Sequence, residues 1–202
     1  MKKLLYLLLA LCLMSSIISC AKKTDVKNEN KEGEVAVVKP KVEISVKEFG
    51  VMQFELDPEN APITVDNFLT LVKSGFYDGL TFHRIIRDFM IQGGDPTATG
   101  MGGSDKNIKG EFVANGVDNK IEHLRGVISM ARSSEFDSAS SQFFICHQDA
   151  TFLDGQYAAF GKIISGIEVV DKICEEVRVL DDNGKVNKME QPVIEYIKVL
   201  EN

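Results

Sequence analysis

Leu80-Thr81-Phe82-His83-Arg84-Ile85-Ile86-Arg87 and, one residue on, Phe89-Met90-Ile91-Gln92-Gly93-Gly94-Asp95 are the residues whose reading decides the fold. Both runs are short and strand-like, and glycine punctuates the second. Two further runs have the same character, Gly126 to Arg132 and Gln142 to His147. Toward the amino terminus, Val42, Ile44 and Val46 alternate with polar neighbours. After Phe49-Gly50, Met52, Phe54 and Leu56 do the same, so 41–56 reads as a β-hairpin with one buried face.

Between the hairpin and the central strands lies a helical pattern. Val65, Phe68, Leu69 and Val72 follow i, i+3, i+4, i+7 spacing. Thr64 is a candidate N-cap, Asp66 falls in the expected first turn, and Gly75 is placed to end the helix. A second helix is expected near Ile167 to Glu176, with Ile167, Val170, Ile173, Cys174 and Val177 on one side. Val193 to Leu200 reads as the last strand. Many short strands with two helices far apart in sequence suggest a mainly β protein, a closed barrel with its ends covered.

The amino terminus is of another kind. Met1-Lys2-Lys3 is followed by an apolar run from Leu4 to Met14, too short for a transmembrane helix. Residues 1–19 read as a secretory signal peptide. Ile17-Ile18-Ser19-Cys20 resembles the lipobox of bacterial lipoproteins, which implies acylation of Cys20 and a membrane anchor. Residues 20–40 then read as the lipidated cysteine and a polar, flexible tether, with Pro40 at its end. The domain is expected over 41–202, exported and held on a bacterial membrane, at its periplasmic or cell-surface side.

The 202 residues carry a formal net charge of -7, which argues against a nucleic-acid partner. Loss of residues 1–19 would remove two lysines and no acid, leaving 21 basic and 30 acidic residues. Of four cysteines, Cys146 and Cys174 belong to the domain. An exported location permits a disulfide between them, and the expectation is two buried free thiols.

Several strings resemble the cyclophilin family in order and spacing. They are Phe82 to Ile86, Phe89 to Asp95, Gly100-Met101-Gly102-Gly103, Ser129-Met130-Ala131, Ser141 to Ile145, Phe152-Leu153-Asp154-Gly155 and Phe160-Gly161. Any one is weak; together in register over about 41–200 they are specific. The resemblance implies an eight-stranded antiparallel closed β-barrel capped by two α-helices. It also implies a monomer that isomerises the bond preceding proline in polypeptides without a cofactor. No metal is expected either, since His83, His123 and His147 lack ligand spacing. The third glycine of a dinucleotide fingerprint is absent, with Asp105 in its place.

The chemistry sets a modest demand. Rotation about the peptide C–N bond meets a barrier of about 18–20 kcal/mol. A thousandfold acceleration needs about 4 kcal/mol, which one or two well-aimed hydrogen bonds in a dry site can supply. Arg84 fits as the donor to the proline nitrogen, which regains its lone pair in the twisted state. Gln92 would hold Arg84 and meet the substrate carbonyl. Phe89, Met90, Phe144 and Leu153 would form the proline pocket, and Phe143 would face the core. Ala131 and Arg132 would offer a strand edge, with Gly100 in the loop beside the site. The resemblance adds Gln142, Phe152 and Tyr157 to the substrate-binding set.

Phe152 and Tyr157 stand where many eukaryotic members have tryptophan and histidine, and Arg132 replaces a frequent asparagine. The tryptophan helps bind cyclosporin through its indole N–H, so weak inhibition is expected here. A second reading is a surface lipoprotein that holds proline-containing partners without turnover, motivated by the anchor and tether. Comparing catalysis by wild type and Arg84→Ala separates the two.

Overall fold

A computed structural model describes residues 38–201. The expected signal peptide, Cys20 and most of the expected tether lie outside the described residues. The domain's first contacts come just ahead of the hairpin. Lys39 Nζ pairs with Asp57 at 2.9 Å, and the Pro40 carbonyl accepts the Leu56 amide.

Eight antiparallel strands form one sheet: β1 Lys41–Val46, β2 Gly50–Leu56, β3 Phe82–Ile86, β4 Met90–Gly93, β5 Val127–Met130, β6 Phe143–Cys146, β7 Ala159–Ser165 and β8 Ile194–Leu200. Their order across the sheet is β3-β4-β6-β5-β7-β2-β1-β8. The first hairpin pairs as the alternation requires, Val42 opposite Phe54 and Ile44 opposite Met52. All four of these residues are fully buried.

The expectation of a closed barrel is corrected. β3 and β8 are the sheet's two edges, with no ladder between them. The residues just before each meet in one bridge, Thr81 opposite Val193, beside amide bonds from Phe82 to Pro192 and from Ile194 to Leu80. The ladder cannot continue for two physical reasons. Pro192 has no amide to donate. Beyond Phe82, the free edge of β3 is taken by another segment: the Ile85 amide donates to Gly184, and the Val186 amide to His83. The result is a curled, open sheet.

Two helices complete the domain, α1 Pro62–Lys73 and α2 Ile167–Glu176. α1 starts earlier than the sequence pattern suggested. Pro62 takes the first position, where its missing amide costs nothing. Thr64 therefore lies inside the first turn and is not the N-cap, and Asp66 lies beyond that turn. The cap comes from a distant residue: the buried Glu111 carboxylate accepts the Ile63 and Thr64 amides at 3.0 and 2.7 Å, and the Thr64 hydroxyl at 2.7 Å. A side chain 47 residues away does what a local cap usually does. At the other end Gly75 has φ 70, the Phe76 amide reaches the Leu71 carbonyl, and the Gly75 amide reaches Val72. That is the left-handed helix stop expected of this glycine.

The sheet's inner face and both helices share the main core. Phe68 of α1 packs within 5.1–5.7 Å, ring to ring, of Tyr77, Phe143 and Phe160. A second, smaller apolar cluster lies apart from it and includes Met90, Val127, Phe144, Leu153 and Ala159. Cys146 and Cys174 are buried and free, and burial pushes both thiols up to about 12.

Candidate active site

The site depends on one irregularity. β3 and β4 pair Phe82 with Gly93 and then Arg84 with Gln92, so His83 is an extra residue. In a regular strand Phe82 and Arg84 would share a face. The bulge separates them. Phe82 and Ile85 enter the main core, while Arg84 lines a cleft beside Met90 and Gln92. On β6, Phe143 enters the main core, and Phe144, in register with Gln92, faces the cleft.

Arg84 is half-buried and has no carboxylate partner among the described residues. Burial lowers its pKa, against the pull of Tyr157 and Asp181; a guanidinium nevertheless stays charged. Nε donates to the Asn183 carbonyl at 2.9 Å, and Nη1 donates to Oε1 of Gln92 at 3.1 Å. Gln92 Nε2 then donates to Oε1 of Gln142 at 2.9 Å. Gln142 Nε2 donates to the carbonyls of Gly100 and Gly102 at 3.0 and 2.7 Å. Each carbonyl can only accept, which fixes the direction of the chain back to Arg84. Two of the five guanidinium donors are thereby engaged, and the others remain for a ligand.

The cleft measures about 640 Å³. Met90, Phe144 and Leu153 are its buried apolar residues. Phe89 and the 71 % exposed Phe152 lie 5.4 Å apart, ring to ring. Tyr157 meets Phe144 edge-on at 5.9 Å. Gly100, Ala131 and Arg132 also line the cleft, whereas Gln142 borders a neighbouring pocket and reaches the cleft through its bonds to Gln92 and Gly100. The Ala131 amide is already bonded to the Gln142 carbonyl, so that donor is not open to a peptide. Arg132 is held at home as well. Nε bonds the Gln156 carbonyl at 3.0 Å, and its guanidinium lies 4.6 Å from the Tyr157 ring centre.

Sequence reasoning missed the wall formed by Asp181, Asn183 and Lys185. An Asn183-Gly184 turn signal was there to be read. Its meeting with Arg84, 99 residues away, was not. Gly184 has φ 78, and a Cβ on it would stand 2.2 Å from the Ile85 carbonyl oxygen, so only glycine fits that approach to β3. His83 also lines the cleft, buried, with neither ring nitrogen hydrogen-bonded. Burial, helped by Arg84, lowers its pKa against the pull of Asp95.

Residues 41–199 match the family model described as cyclophilin type peptidyl-prolyl cis-trans isomerase/CLD. The chain belongs to the cyclophilin family. Over 133 residues it is 49% identical to peptidyl-prolyl cis-trans isomerase A of Dickeya dadantii, covering 62% of this chain and 67% of that one. It is 45% identical over 133 residues to peptidyl-prolyl cis-trans isomerase B of Bacillus subtilis, covering 63% and 90%. Among solved structures, a cyclophilin type isomerase of Cryptosporidium parvum superposes with a TM-score of 0.72 at 32% identity, over 82% of this chain and 99% of that one. The same C. parvum isomerase solved in the presence of the dipeptide Ala-Pro gives 0.70 at 34% identity, over 80% and 99%.

This cyclophilin is a peptidyl-prolyl cis-trans isomerase, and its substrates are proline-containing polypeptides. Among the described residues no group of histidine, cysteine or acidic side chains could hold a metal, and no helix is long and apolar enough to cross a membrane.

Proposed function

We propose that Arg84 drives the isomerisation by hydrogen bonding to the proline nitrogen, with the ring seated on Phe89, Met90, Phe144 and Leu153. The single observation that carries this is the one-way chain from the Gly100 and Gly102 carbonyls through Gln142 and Gln92 to Arg84. It leaves guanidinium donors uncommitted beside an apolar pocket. In the planar ground state the proline nitrogen shares its lone pair with the carbonyl and accepts poorly. In the twisted state the lone pair is localised. A donor held in advance then favours that state over the ground state, which lowers the barrier. Burial keeps water from competing for the same lone pair. No covalent intermediate is required.

The apolar residues account for recognition of proline. A compact, uncharged ring fills a pocket without a buried polar group to satisfy. The C. parvum relative was solved in the presence of Ala-Pro, a dipeptide ending in such a ring. Exchange NMR on a prolyl peptide tests the division of labour. With Arg84→Ala, shift changes that report binding should persist while catalysed cis/trans exchange slows by about a hundredfold or more.

We propose further that the isomerase is exported and held on a membrane by lipid at Cys20, so that its clients are other exported proteins. This rests on the amino-terminal sequence alone. Mass spectrometry of the mature amino terminus tests it: an acylated Cys20 is expected as the first residue.

A further inference from the structure

We infer that His147 is a positioning residue for Phe89, holding the β3–β4 turn in the one shape that sets the Phe89 ring in the cleft. The inference rests on the reading of that cleft as the proline site. No motif of the sequence pointed to His147, and it lines no part of the cleft.

The turn between Ile86 and Met90 consists of Arg87, Asp88 and Phe89. Asp88 has φ 63, a left-handed conformation that a side-chain-bearing residue keeps only when something holds it. His147 does so from two sides. Its Nδ1 accepts the Asp88 amide at 2.9 Å, and its own amide donates to the Phe89 carbonyl at 2.9 Å. Acceptance at Nδ1 requires that nitrogen to be bare, which places the ring proton on Nε2. Nε2 lies 3.2 Å from Oδ1 of Asp171 on α2, the partner that selects this tautomer. The other Asp171 oxygen takes Arg125 Nη2 at 2.8 Å, and Arg125 Nη1 donates to the His147 carbonyl. The loop of bonds closes on His147.

His147 is 6 % exposed, so water cannot readily replace the imidazole as acceptor. It belongs to neither apolar cluster. Its ring nitrogens meet the turn on one side and Asp171 of α2 on the other. Phe89, by contrast, is only half-buried and depends on its backbone for its aim toward Phe152. Small errors in such placement cost catalysis disproportionately.

Two conservative variants separate the halves of the clamp. In His147→Asn, Oδ1 stands where Nδ1 stood and keeps the Asp88 bond while losing Asp171. In His147→Gln the side-chain end reaches Asp171 and leaves the Asp88 amide without its acceptor. Both stay polar, and melting of each confirms folding. On a prolyl peptide, His147→Gln should raise KM about fivefold with a smaller change in kcat, and His147→Asn should recover most of the loss. In a Phe89→Ala background, His147→Gln should change kcat/KM less than about twofold, because the residue it positions is gone. Equal factors in the two backgrounds, or His147→Asn impaired more than His147→Gln, would overturn the role of His147 alone. Wild-type activity for Phe89→Ala would instead overturn the cleft assignment, and the clamp with it.

Discussion

Arg84 donates from Nη1 to Oε1 of Gln92 at 3.1 Å, and Gln92 is itself oriented by Gln142. An arginine braced by a neutral amide keeps its charge available, whereas a carboxylate partner would spend it.

Gln142→Leu removes the group that fixes the Gln92 amide. Gln92 can then turn its NH₂ toward Arg84, donor against donor. The expected result is a fall in kcat/KM of about tenfold, equivalent to about 1.4 kcal/mol. Steady-state kinetics on a prolyl peptide measures it, with KM changing less than kcat because the apolar pocket is intact.

Phe152 is highly exposed at the cleft rim and carries no donor. Phe152→Trp should supply an indole N–H there and tighten cyclosporin inhibition about tenfold, the worth of one hydrogen bond. Inhibition constants for the two proteins measure the change, with basal isomerisation in the same assay as the reference.

Glu111→Ala removes the cap of α1. Three hydrogen bonds to one buried carboxylate are lost, and the helix amides are left without an acceptor. A loss of about 2–3 kcal/mol is expected. Urea unfolding should show a lower midpoint with an unchanged slope.

Asp95 shapes the loop that carries Gly100. Its oxygens accept the Thr97, Thr99 and Gly100 amides at 2.7, 3.0 and 2.6 Å. Burial alone would raise its pKa; the Thr97 and Thr99 bonds outweigh burial and hold it well below the ordinary 3.8. A depressed carboxyl contributes stability above its unfolded pKa and loses it as pH falls. Unfolding free energy should therefore drop as pH is lowered from about 4, and Asp95→Asn should be less stable at pH 7 by about 2 kcal/mol with a flatter acid limb. Denaturation curves between pH 7 and pH 2.5 check both.

The strands, both helices and the sorting of Phe143 from Phe144 were legible because alternation and 3.6-residue spacing are local signals. α2 runs from Ile167 to Glu176 as its apolar spacing indicated. Two kinds of feature were not legible. The bulge at His83 breaks the very alternation from which faces are read, and by plain alternation Arg84 would have followed Phe82 into the core. Contacts between residues far apart in sequence were equally hidden, namely the Glu111 cap, the Asn183 carbonyl on Arg84 and the Gly184 edge that keeps β8 from pairing along β3. The site residues named from the family strings mostly line one cleft, and Gln92 was expected to hold Arg84, but the part of Gln142 in orienting Gln92 emerged only from the geometry.

The most direct test of the central claim compares wild type with Arg84→Ala in a refolding reaction limited by a prolyl bond, at matched concentrations and with folding of the variant confirmed by its melting curve. With Arg84→Ala, kcat/KM is expected to fall about a hundredfold or more, the loss of about 2.7 kcal/mol of transition-state stabilisation, while peptide binding stays within a few-fold. Equal refolding rates with the two proteins would contradict it.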